Sequence, residues 1–250
     1  PSSDVSMKWL LQEGSKGKKH EEWAHSVAVY VIHYTVVIAV VFYAHDLLVP
    51  SREECINETN LEYKQYRDRQ QSCAIFAGIY AFLQQLCRLW TTNPYRNCVL
   101  YECTWLCNTT LVVGSLGLWF QRPLITAAFC VTVGIDQLLW YVDITSWVLT
   151  GRFPIGVAKY ITWPSTPWAT RLTCTHHLWT MPLFLYYAAA PLQYTALLLS
   201  FLLMVLNVGL SRLMTPFRVG NDRYLNVNLS HELWKDIKVS VLQISKDDPP

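Results

Sequence analysis

Asp136 and Asp143 stand seven residues apart, one inside an apolar run and one just beyond it. On a helix they share a face about two turns apart. An acid inside a membrane span is costly and by default marks function. The pair could carry a proton step or hold a cation. The plainer alternative puts Asp143 at the membrane boundary and hydrogen-bonds Asp136 to a neighbouring helix.

His176 and His177 are adjacent, so on a regular helix their side chains diverge by roughly 100°. That spacing predicts that they do not share one metal ion. His177 is placed to face Asp143 as an Asp–His couple. His33 could be an axial haem ligand opposite one of them. His45 sits at the far end of its span, so a second haem has no ligands. Each histidine could equally be a hydrogen-bonded bundle residue.

Eight cysteines are present, and Cys98, Cys103 and Cys107 are close together. Zinc sites usually show short pairs such as C-x-x-C, and the chain has none. Cysteines in or beside spans behave as small apolar residues. Cys55 alone falls in a polar segment, so no disulfide framework follows. Phosphate loops, dinucleotide fingerprints, nucleophile elbows and H-E-x-x-H are absent. The expectation is no redox cofactor and no metal. A bound phospholipid such as cardiolipin is the ligand foreseen, with Arg88, Arg96 and Arg171 as headgroup contacts.

The elements that position these residues are membrane helices. The 250-residue chain is 52% hydrophobic and 15% charged, against about 25% charged in ordinary soluble domains. A net charge of +2 gives no basic surface for nucleic acid. Eleven Trp and fourteen Tyr suit a membrane–water boundary. No Asp, Glu, Lys or Arg occurs between Arg171 and Arg212, twice the roughly 20 apolar residues that one span needs. Ala190-Pro191 divides that stretch.

An all-α polytopic bundle of about six spans is predicted, over 26–45, 70–88, 103–121, 123–142, 172–190 and 192–211. Residues 1–24 form a basic polar head, 25–212 the bundle and 213–250 a polar tail. Ser51 with Glu54 has capping-box spacing and opens an amphipathic helix over 51–71. With six spans, fifteen of the twenty Lys and Arg fall on the side of both termini. That bias places both ends in the cytoplasm or the mitochondrial matrix. The sequon at Asn57 lies on the opposite side and is open to glycosylation in a secretory protein. The chain opens on Pro1 with no apolar stretch before Ser26, which fits a removed leader or a start inside a longer product.

The stretch LLWYVDITSWVLTGRFPIGVAKYITWPSTPWATRLTCTHHLWTMPLFLYYA (138–188) carries Trp140, Asp143, Thr150, Gly151, Tyr160, Pro164, His177, Trp179 and Pro182. With Cys107-Asn108 and Asn226-Val227-Asn228, this resembles a family of bacterial polytopic membrane proteins of no established activity, over about residues 100–230. The pattern departs after Asn228, where Leu229, Ser230 and His231 stand. The resemblance implies that Asp143, His177, Asn108, Asn226 and Asn228 matter, without saying how.

Three functions are then in play. The first is an accessory subunit of a multi-subunit energy-converting complex, in the respiratory chain or ATP synthase of the mitochondrial inner membrane. Its role would be structural and lipid-binding, with other membrane subunits and phospholipids as partners. It rests on polar ends, such as Gly14–Lys19, that do not order themselves and were added to a bacterial-type core. The second is an intramembrane enzyme using Asp143 and His177, with Asn226 and Asn228 as binding groups. The third is a small transporter or haem protein using Asp136 and His33, although the repeat symmetry usual in transporters is not visible.

Overall fold

The computed structural model describes residues 3–49, 61–91, 98–164, 166–188, 194–219 and 223–231. Asn57, Arg96, the Ser51 helix start, the Ala190-Pro191 break and residues 232–250 lie outside them.

Among the described residues eight α-helices carry the fold: α1 (Ser3–Leu48), α2 (Leu61–Thr91), α3 (Val99–Glu102), α4 (Leu106–Trp119), α5 (Pro123–Thr150), α6 (Trp168–Thr173), α7 (His176–Ala188) and α8 (Tyr194–Met214). The only ladder among the described residues is β1 (Arg218–Val219) paired antiparallel with β2 (Arg223–Tyr224). Helices α1, α2, α5 and α8 are long and apolar enough to cross a membrane. The chain therefore has the fold of an α-helical membrane bundle.

The predicted boundaries shift in three places. From Leu61 on, the amphipathic segment runs into the second span as one helix, α2, without a joint near Gln70. The helix of the fourth span runs on past Val142. Helix α5 continues to Thr150 and is closed by Gly151 at φ 72°, the left-handed stop that glycine supplies at a helix end. The fifth span does not start as one helix at Leu172. It is broken at Cys174-Thr175 into α6 and α7. At 1.5 Å per residue, the 13 residues of α7 reach only about 20 Å of the roughly 30 Å hydrocarbon core.

Helix α1 shows why its β-branched run is helical. Ser26, Val29, His33, Val37, Val41 and His45 are buried and recur every three or four residues, the period of one helix face. In hydrocarbon, backbone hydrogen bonding overrides strand propensity. This face meets Val113 of α4, Ile125 and Phe129 of α5, and Leu199 and Leu203 of α8 in the main apolar core. Helix α2 packs on α4, and α5 packs on both α7 and α8. Outside, Phe76, Ile79 and Phe82 of α2 and Leu198, Phe201 and Val205 of α8 are exposed, as a lipid-facing surface must be. Trp90, Trp168 and Tyr194 stand exposed near helix ends, where amphipathic rings favour the interface.

Two sequence details fix the joints. Helix α4 ends in a Schellman turn: Gln121 N–H bonds Leu118 O at 3.2 Å and Arg122 N–H bonds Gly117 O at 2.7 Å. Gln121 takes φ 56°, and Pro123 then starts α5 at the first helical position, where its missing N–H costs nothing. In α4, a Cβ on Gly114 would meet Phe184 Cε2 at 2.2 Å. Phe184 is almost fully buried, so α4 and α7 approach as closely as glycine allows. Gly114→Ala should destabilise the bundle by about 1–3 kcal/mol through overpacking, read as a lower midpoint of thermal unfolding in detergent. Gly209→Ala, where a Cβ meets nothing, should leave the midpoint unchanged or raise it.

Candidate functional site

Asp143 is fully buried. Counted along α5, it lies 20 residues from Pro123, about 30 Å at the helical rise, so it sits at the level of one membrane boundary. Over it folds the loop that follows Gly151. Asp143 Oδ1 accepts Ile155 N–H at 2.9 Å and Gly156 N–H at 3.2 Å. Oδ2 accepts Gly156 N–H at 2.9 Å and Ala158 N–H at 3.0 Å. Gly156 adopts φ 105°, a backbone state that lets consecutive amides converge and that side-chain-bearing residues avoid. One acid therefore satisfies three loop amides, the charge-assisted arrangement that is strongest away from water.

The expected Asp143–His177 couple does not form. Among the described residues, Asp143 bonds only the loop amides, and His177 turns to Gln137 and Trp140. His177 Nδ1–H donates to Gln137 Oε1 at 2.9 Å, and Gln137 Nε2 returns a bond to His177 O at 2.9 Å. The His177 ring stacks on Trp140 at 5.1 Å. The couple fails because backbone donors reach the carboxylate first. Asp136 is partly buried and among the described residues makes no hydrogen bond.

The two histidines are closer than adjacency on a regular helix predicts. They start α7 just after the Cys174-Thr175 break, and His176 Nδ1–H donates back to Thr173 O at 2.6 Å. That bond folds the His176 ring over His177, with centroids 4.1 Å apart. Cys107, His176 and His177 each offer one ligand atom, all within 4.8 Å of one another. A small cavity of about 10 Å³ adjoins them, lined by Cys107, Thr110, Gln137, His176, Thr180 and Met181 among others. The distribution of these residues over α4, α5 and α7 hid the cluster from sequence spacing. The only sequence signal was one cysteine at the start of α4 and two histidines at the start of α7.

His33 bonds Thr109 Oγ1 at 3.1 Å and meets Tyr34 edge-on, so it is a bonded bundle histidine. Arg88 was expected at lipid headgroups. It is instead buried and donates to Thr173 Oγ1 at 2.8 Å, so its guanidinium turns into the bundle. Arg171 is exposed and donates to Trp163 O at 2.8 Å; it remains at a surface.

The asparagines of the pattern are joints. Asn108 accepts a short bond from Gln84 Nε2 and donates to Glu102 O at 3.0 Å. Asn228, at φ 55°, accepts Leu106 N–H at 2.6 Å and donates to Thr104 O at 3.0 Å and Ser211 Oγ at 2.8 Å. It thereby caps the start of α4 from a distance and ties the tail to α8. Asn226 Oδ1 accepts His231 N–H at 3.0 Å. Gln84 and Gln85, which make the second span the least apolar, and Gln137 in α5 are bonding residues that the sequence alone does not mark. Tyr30 donates to Gln85 Oε1 at 2.6 Å, so these residues hold helices together.

Comparison with known protein families, curated proteins and solved structures finds no match.

Asp143→Asn replaces an acceptor with a group that must turn an NH₂ toward loop amides. It should cost about 1–3 kcal/mol and expose the Arg152–Ala158 loop to protease in detergent. Asn228→Ala should lower stability by a similar amount, about 1–3 kcal/mol, by uncapping α4 and releasing the tail; Asn228→Gly should recover part of the loss, because φ 55° no longer opposes a Cβ.

Proposed function

We propose that this chain is a membrane-embedded accessory subunit of a larger energy-converting assembly, with a structural and lipid-binding role, in the mitochondrial inner membrane. One observation carries the reading. Polar side chains inside the bundle are largely consumed by one another, whereas the most apolar stretches of α1 and α8 are only 28% buried, against 56% for α5. Such helices offer long faces for neighbouring helices and acyl chains, and association in lipid is driven by packing of this kind. The basic bias toward the side of both termini supports a matrix orientation. Exposed Arg171 is the remaining described candidate for an anionic headgroup. The enzyme alternative has less support, since Asp143 is engaged by three amides.

Extraction in mild detergent followed by native electrophoresis tests the proposal. The chain is expected to migrate with a complex much larger than 28.9 kDa and to fractionate with inner mitochondrial membranes. Migration as a monodisperse monomer from its native membrane would overturn the subunit role. Labelling of single cysteines near each end should place both on the same face; opposite faces would remove the six-span arrangement.

A further inference from the structure

We propose that Cys107, His176 and His177 form a zinc site inside the bundle, an inference that stands apart from the subunit reading. The donor set is a thiol and two imidazoles, with ligand atoms within 4.8 Å of one another. A tetrahedral zinc ion with bonds of about 2.0–2.3 Å brings its ligands to roughly 3.5 Å apart. The cluster therefore needs only a small contraction to close on an ion.

Both histidines are held in the tautomer that a metal requires. His176 Nδ1–H is committed to Thr173 O and His177 Nδ1–H to Gln137 Oε1. Each neutral ring then carries its lone pair on Nε2, and an outer carbonyl orients it, as in metal-binding histidines generally. His176 is 2% exposed, and its Nε2 has no partner. A buried acceptor left bare is costly, and an ion would remove that cost.

The surroundings also fit. Thr110 Oγ1 and Thr180 Oγ1 are buried without partners, and both line the cavity beside His176. Its volume, about 10 Å³, suits one water. A water on the fourth zinc position would lie in that cavity and meet the two hydroxyls.

The test uses the full chain purified in detergent. Elemental analysis should find about one zinc per chain. After chelation, Co²⁺ should produce tetrahedral d–d bands and a thiolate-to-cobalt charge-transfer band. Cys107→Ser should lose the charge-transfer band, while Cys103→Ser keeps it. Gln137→Leu, which removes the orienting carbonyl, should weaken Co²⁺ binding roughly 10–100-fold with helical content and elution unchanged. A monodisperse, helical wild-type chain that holds no zinc and gives no thiolate band with Co²⁺ would overturn the site and leave a water alone in the cavity. A charge-transfer band that survives Cys107→Ser would overturn it as well.

Discussion

Away from water, a buried donor or acceptor that finds no partner within the protein is costly. Asp143 is the sharpest instance. A bare carboxylate at that position would cost several kcal/mol, and the loop beyond Gly151 supplies three amides to it. In turn, those amides have no helix or strand of their own to bond. Acid and loop each remove the other's desolvation cost, and the loop's return over α5 fixes where α6 and the α7 start must lie. The positions of Thr173, His176 and His177 depend on that return.

The same constraint explains the links across the bundle. Tyr30 reaches Gln85, Gln70 bonds Leu118 O at 3.0 Å, Tyr34 bonds Cys103 O at 2.8 Å, and Arg88 bonds Thr173. Each of these bonds joins two elements distant in sequence. Apolar packing alone discriminates poorly among helix faces in lipid, where acyl chains are as apolar as leucine. Directional bonds from a few polar side chains select which faces meet. Gly114 against Phe184 adds a steric lock between α4 and α7.

Much of the architecture was legible because it follows from length and charge. The uninterrupted apolar run after Arg171, the helical face of α1 and the Pro123 helix start all derive from local composition. The errors have a common physical origin. Ending the element at Val142 followed the apolar run alone, although a neighbouring loop lets the helix carry Asp143 and continue. Gly151, the true stop, was readable as a left-handed cap. Treating His176 and His177 as divergent assumed a regular helix through Thr173–Thr175, where the chain breaks and His176 folds back. Partners thirty to a hundred residues away, as in His33–Thr109, leave no trace in spacing.

The shielding of the loop amides by Asp143 holds this end of the bundle together. Hydrogen–deuterium exchange of the detergent-solubilised chain, read at single-residue resolution, measures it. Ile155, Gly156 and Ala158 should exchange as slowly as amides in the middle of α5, although they belong to no helix or strand. Exchange of these three at the rate of free peptide, with α5 still protected, would contradict the account.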